Sequence, residues 1–220
     1  MHVRRPAILI VLLALVGACL SGCHDNLSPS FEAFSRNRLA VLARNMESTR
    51  DAQNAASEQV TTTVQTIKRD AWTGADPAQA YDLTRRLESA SESRIRNAHS
   101  RLKVVKTNGE DFFRQWAKEN TEYSDRDLRE SSRQNRVKVQ AEFDAAIAQM
   151  KKADAATEPV LTAIRDQVLF LKHHRNSAAV PARPANSSDP AIPAEALAEQ
   201  TAVAARVATE FAASARASPK

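Results

Sequence analysis

The sequence predicts an all-α protein: an elongated antiparallel three-helix coiled-coil bundle, then a Pro-rich linker and a separate C-terminal helix. Three observations carry this. Apolar residues recur at alternating spacings of three and four over three long stretches, the mark of helices that share a seam. Only four glycines occur in 220 residues and just 5% of the chain is aromatic, a composition that suits long helices better than sheet. Turn chemistry falls at two places, Thr73-Gly74-Ala75 and Ser124, and divides the repeat into pieces of similar length, as antiparallel neighbours require.

The elements follow in order. Residues 1–22 form a leader and residues 23–30 a tether. The bundle covers residues 31–176, the linker 177–193 and the last helix 194–217. Ser28 is the expected N-cap of the first helix, with Pro29 at its first position. Its seam is Leu39, Leu42, Met46, Thr49, Gln53, Ala56, Val60, Thr63 and Ile67, weak at Thr49 and Gln53, and it should stop near Trp72. Asp76-Pro77 opens the second helix, with Gln79 placed to close a capping box. Its seam runs Ala80, Leu83, Leu87, Ala90, then after a skip Ile95, Ala98, Leu102, Val105, Phe112 and Trp116. The skip resembles a stutter, which locally changes the winding. Asn108-Gly109 is an expected point of interruption or kinking, since glycine costs about 1 kcal/mol in a helix interior.

Ser124 is the expected cap of the third helix, with Asp127 in the capping-box position. Its seam is Val139, Phe143, Ala146, Met150, Ala153, Thr157, Val160, Ile164, Val168 and Leu171. Pro159 falls inside it and predicts a kink or a restart. An up-down-up arrangement places Phe31 and Phe34 near Trp116 and Leu128 at one end, and Trp72 and Tyr81 near Phe170 and Leu171 at the other. The two tryptophans read most simply as plugs of a narrow core. Pro181, Pro184, Pro190 and Pro193 mark an extended linker. The last helix has one thin apolar stripe, Leu197, Ala204, Val207 and Phe211, so docking on the bundle, binding a partner and fraying all remain open to it.

The leader carries an address. Arg4 and Arg5 precede an apolar run from Pro6 to Val16, and small residues follow, as in a signal peptide. The run is short of the roughly 20 residues a membrane span needs. Leu20-Ser21-Gly22-Cys23 then reads as a bacterial lipobox, with Cys23 as the lipidation site. Cys19, in the context Val16-Gly17-Ala18, is the weaker competitor, and an ordinary secretory leader is the plain alternative. Cleavage before Cys23 leaves no second cysteine for a disulfide within the chain. Three acyl chains, as in bacterial lipoproteins, give lasting attachment where one does not. His24, rather than an acidic residue, follows Cys23, which favours the periplasmic face of the outer membrane. The formal net charge of +5 falls to about +3 without the leader arginines, no signature of a nucleic-acid binder.

Four stretches carry a family resemblance. They are Phe113-Arg114-Gln115-Trp116, Leu128-Arg129-Glu130-Ser131, Met150-Lys151-Lys152-Ala153, and the run from Glu158 to His173, most specific from Val160 onward. In order and spacing they are similar to an uncharacterised family of bacterial lipoproteins catalogued as domain of unknown function 2959. The similarity spans roughly Phe31 to Asn176. It implies a helical, lipid-anchored protein and brings no activity with it. After His173 the family pattern continues with Asn-Leu-Asn-Ala and a helical tail, whereas here His174-Arg175-Asn176-Ser177 leads into the proline-rich stretch.

Candidate chemistry is sparse. His173-His174 is a histidine pair, but adjacent helical residues face different sides, and no zinc-site spacing surrounds them. A helix end whose Lys172, His173, His174 and Arg175 complement the dipole is the simpler reading. Arg165 and Asp166 lie beside the seam and suit interhelical ion pairing. Asp166, Lys172 and His173 are the candidate partner-binding residues. There is no P-loop, dinucleotide fingerprint or nucleophile elbow, and Ser131, Ser132 and His99 fall on different helices. The expectation is therefore a non-enzymatic envelope lipoprotein, without cofactor or metal, acting as a coiled-coil spacer or adaptor. Its expected partners are the membrane, through the lipid on Cys23, and an unidentified envelope protein, with no nucleic acid among them. Two alternatives stand beside this: a metal- or ligand-binding module at the tip near His173, and a peptidoglycan tether through the C-terminal Lys220.

Overall fold

The computed structural model describes residues 28–72, 76–183 and 189–217, with side chains from Asn37 onward. The chain divides into two units, residues 1–37 and a compact unit from Arg38 onward. In the first, the helix that starts at Ser28 is described. The leader, Cys23, the tether, the packing of Phe31 and Phe34, the Gly74 turn and Lys220 lie outside the described residues. Every element is helical: α1 (Ser28–Thr66) with a π-helical last turn (Ile67–Ala71), α2 (Pro77–Glu119) with a 3-10 turn (Asn120–Glu122), α3 (Arg126–Ala155), α4 (Thr157–His173) and α5 (Ala191–Ala217).

Side-chain pairs fix how the helices run. Arg101 donates to Ser48 at 2.6 Å and Thr63 meets Ser91 at 2.9 Å, so α1 and α2 are antiparallel. Trp116 Nε1 donates to Ser132 at 3.2 Å and His99 Nδ1 meets Asp154 at 2.9 Å, so α2 and α3 are antiparallel too. α5 then runs back down. The Phe143 and Phe211 rings lie 5.6 Å apart, Ser214 donates to Glu142 at 2.6 Å, and Arg50 donates to Thr209 at 3.0 Å. From Arg38 onward this is an up-down-up-down bundle of four helical columns, α3 and α4 sharing one.

The fourth column decides among the alternatives that the thin stripe of the last helix left open. α5 does not stand apart from the bundle. Ala194, Leu197, Thr201, Ala204, Ala208, Phe211 and Ala215 are buried, at spacings of three and four throughout. Alanine has no reach, so such a stripe buries only when backbones approach closely, and α5 packs closely along α3. The stripe therefore marks close packing rather than weak packing, and it completes a core that three helices would leave open on the α3 side.

The first seam is buried at all nine expected positions, Leu39 to Ile67. Its two weak points are satisfied locally or across the core: Thr49 donates to Asn45 O at 2.8 Å, and Gln53 Nε2 to Met150 O at 2.9 Å. Gln53 Oε1 has no partner among the described residues and borders a void of about 10 Å³, the size of one water.

In α2 the seam passes through Thr84 and Ser91, both fully buried, while Ala90 is exposed. Polar residues hold these positions because they have partners: Ser91 meets Thr63, and Thr84 donates to Ala80 O at 2.8 Å. α2 also runs unbroken through Asn108-Gly109. Gly109 is there for space, since a Cβ would overlap the Phe143 ring. The start of α3 differs by one residue. Asp125, not Ser124, is the cap, accepting from Asp127 N at 2.8 Å and Leu128 N at 3.0 Å. Asp76 caps α2 in the same way, through Ala78 N and Gln79 N. At the far end Trp72 meets Phe170 as expected, with rings 5.4 Å apart, and Tyr81 packs on the cluster that contains Leu171, with the Arg175 guanidinium 5.5 Å over its ring.

Candidate functional site

α4 contains the most specific part of the family-like signature, and its placement starts with a break. α3 ends at Ala155 and α4 restarts at Thr157, whose hydroxyl donates to Asp154 O at 2.6 Å. Pro159 follows in the first turn of the new helix, where its missing N–H leaves no intrahelical bond unmade. The restart keeps the seam in register: Val160, Ile164 and Leu171 are fully buried. Gln167 takes the next inward position, at 5% exposure, and Val168, expected in the seam, is only half-buried.

One flank of α4 is fixed to α2 by charge. Arg165 Nη2 lies 2.9 Å from Glu92, its Nη1 3.2 Å from Glu158, and its Nε 4.0 Å from Glu88. The Arg165 guanidinium holds the Glu92 carboxyl below its ordinary range. Burial and the neighbouring Glu92 charge push Glu88 up instead. Arg165 thus provides the interhelical pairing expected of it. Asp166 does not share that role, since it is exposed and makes no hydrogen bond or ion pair among the described residues.

The other flank is open. Asp166 and His173 are seven residues apart and share one exposed stripe, with Leu169, 52% exposed, between them. Lys172 is exposed too but lies about 100° around the helix from His173. The three candidate residues are therefore not one cluster: Asp166 and His173 form a face, and Lys172 stands beside it. Leu169 was missed in the sequence, although a leucine out of step with the Ile164–Leu171 seam is a readable sign of an outward apolar group. His174 turns inward, with its ring 4.4 Å from Phe170 and Nδ1 2.8 Å from Phe170 O. The histidine pair is thus split between solvent and packing. Among the described residues no group of three or more His, Cys, Asp or Glu is arranged to hold a metal, and no helix is long and apolar enough to cross a membrane.

An antiparallel four-column bundle, with α4 held to α2 by Arg165 on one flank and bearing an open apolar-polar stripe on the other, defines a class: an all-α helical-bundle protein. More particularly, the chain belongs to the family described as protein of unknown function (DUF2959), whose model matches residues 29–214. The match runs past His173 and into α5, beyond the limit of the resemblance near Asn176. Searches among curated proteins and among solved structures give no match.

Proposed function

We propose that this protein is a non-enzymatic envelope lipoprotein, a periplasmic spacer or adaptor whose α4 stripe receives another envelope protein. The observation that carries the reading is the open face of Asp166, Leu169 and His173 on a helix otherwise fixed by its seam and by Arg165. The reading rests on position rather than area: one exposed leucine stands between an exposed carboxylate and an exposed imidazole on the same stripe, a small contact with polar edges. The lipobox at Cys23 supplies the membrane attachment in this reading. Within the compact unit, Arg38 lies 4.0 Å from Glu119 at the C-terminal turns of α2, and the α4 stripe lies toward the opposite end.

The tests are cellular. Cys23→Ser should release the protein from the outer-membrane fraction. A photo-crosslinking residue at Leu169 should give one discrete adduct, lost on Asp166→Arg. A freely soluble native protein, or adducts indifferent to Asp166→Arg, would overturn the reading. The tether through Lys220 is less favoured. α5 runs back beside α1, where Arg216 pairs with Glu47, so α5 finishes beside α1 rather than projecting past the α4 stripe.

A further inference from the structure

The open stripe of α4 has an internal symmetry. Asp166, Leu169 and His173 are all exposed, and Leu169 stands in the middle. Along the helix axis Asp166 lies about 4.5 Å before Leu169, and His173 about 6 Å after it. Around the axis both fall on the same side of Leu169, by about 60° and 40°. Neither Asp166 nor His173 makes a side-chain hydrogen bond or ion pair among the described residues.

A two-fold axis at Leu169, across the helix and in the plane of this face, reverses the order along the helix and keeps the side. It lays a second copy's Asp166 against His173, and its His173 against Asp166, while the two leucines cover each other. That is the form of an isologous contact, in which residue i meets j and j meets i. The carboxylate and the imidazole N–H can then form the same hydrogen bond twice. On the other flank Lys172 comes toward the second copy's Arg165, where Glu92, Glu158 and Glu88 lie within 4.0 Å and outnumber the guanidinium. A parallel pair does worse. It sets His173 beside the second copy's Lys172, and Asp166 beside an Arg165 already held by Glu92 and Glu158.

The contact is small. Asp166 to His173 covers about 10 Å of helix, and two turns bury far less than the roughly 800 Å² per partner of a stable complex. Association is therefore weak in free solution and gains from the raised local concentration of chains held at one membrane.

We propose that α4 is a self-association face, on which a second copy of this chain docks antiparallel about a two-fold axis at Leu169, with Asp166 and His173 exchanged across it. The inference rests on the reading of the α4 stripe as a docking face and names its occupant.

The test uses the full-length chain in cells, with Leu169→Cys and a short bismaleimide crosslinker. The unchanged chain gives the background from Cys19 and Cys23. A band at twice the mass of the chain is expected from Leu169→Cys. Adding Asp166→Arg should weaken it about fivefold, by setting a guanidinium against the imidazole. Adding His173→Asp as well should bring most of it back, because the pair is then reversed but intact. Thr162→Cys, on the same exposed side of α4, should give no such band, since its copies stand about 21 Å apart in an antiparallel pair and meet in a parallel one. No doubled band above background, no recovery in the charge-reversed chain, or a Thr162→Cys band as strong as that of Leu169→Cys would overturn the proposal. A photo-reactive residue at Leu169 separates this failure from that of the docking face. A discrete adduct of any other mass overturns the second copy alone, and the lack of any adduct overturns both.

Discussion

Gly109 lies directly beneath the ring of Phe143, in a helix interior where glycine has no backbone reason to be. The ring cannot swing aside, since Phe113 and Phe211 pack on it at 5.5 and 5.6 Å. Gly109→Ala should therefore destabilise by about 1–3 kcal/mol through overpacking, overriding the roughly 1 kcal/mol that alanine normally gains in a helix. Urea denaturation measures the difference. Adding Phe143→Leu should recover part of the loss, and a more stable Gly109→Ala single variant would contradict the packing.

The hydroxyl pair of Thr63 and Ser91, both fully buried at 2.9 Å, predicts a coupled loss. Thr63→Val or Ser91→Ala alone leaves one buried hydroxyl short of its partner, at about 1–3 kcal/mol. The double variant should cost clearly less than the two singles added, as a double-mutant cycle in urea will read. Strict additivity would mean the two hydroxyls do not depend on each other.

The Arg165–Glu92 pair should contribute in a pH-dependent way. Arg165 lowers the Glu92 carboxyl in the folded state. The stabilisation is therefore complete above the ordinary value of 4.5 and is lost as pH falls through the lower folded value. Because both side chains are partly exposed, Glu92→Gln should cost at most about 1 kcal/mol at pH 7. The gap in melting temperature between the two proteins should close below pH 4.5. A gap that persists in acid would point to packing instead.

The docking of α5 predicts that the first three columns do not suffice. Removing residues 177–220 uncovers the α3 flank around Phe143 and Ala146. The shortened chain should unfold with a broad transition, or associate, as read by circular dichroism and sedimentation. Phe211→Ala, at 2% exposure, should cost about 3–5 kcal/mol. A shortened chain that melts as sharply as the full one would show α5 to be dispensable.

Much of this fold is legible in the residues. The nine-position seam of α1 and the packing of Trp72 on Phe170 follow from spacing, because Leu39, Leu42, Met46, Val60 and Ile67 set a register that carries Thr49, Gln53 and Thr63 inward with them. The misreadings share a cause: small or polar residues hold core positions through partners that only the tertiary structure supplies. Ser91 displaces Ala90 from the seam because Thr63 awaits it, and Gln167 shares the inward role with Val168. Gly109 signals a neighbour's ring rather than a break, and the alanines of α5 signal a close helix rather than a missing one. The exposed face of α4 was half legible. Asp166 and His173 share it by their spacing, but Lys172 was grouped with them by sequence proximity, which a helix does not respect.

The return of α5 beside α1 also has a mechanical meaning. The columns that begin and finish the bundle are antiparallel neighbours, joined near one end by Arg216 and Glu47 and farther in by Arg50 and Thr209. Tension applied between Arg38 and Ala217 would open these contacts one after another, like a zipper, instead of loading them all at once in shear. Such a pull would peel α5 away first. Tension between Arg38 and the α4 stripe would run along the length of the helices and load their contacts together.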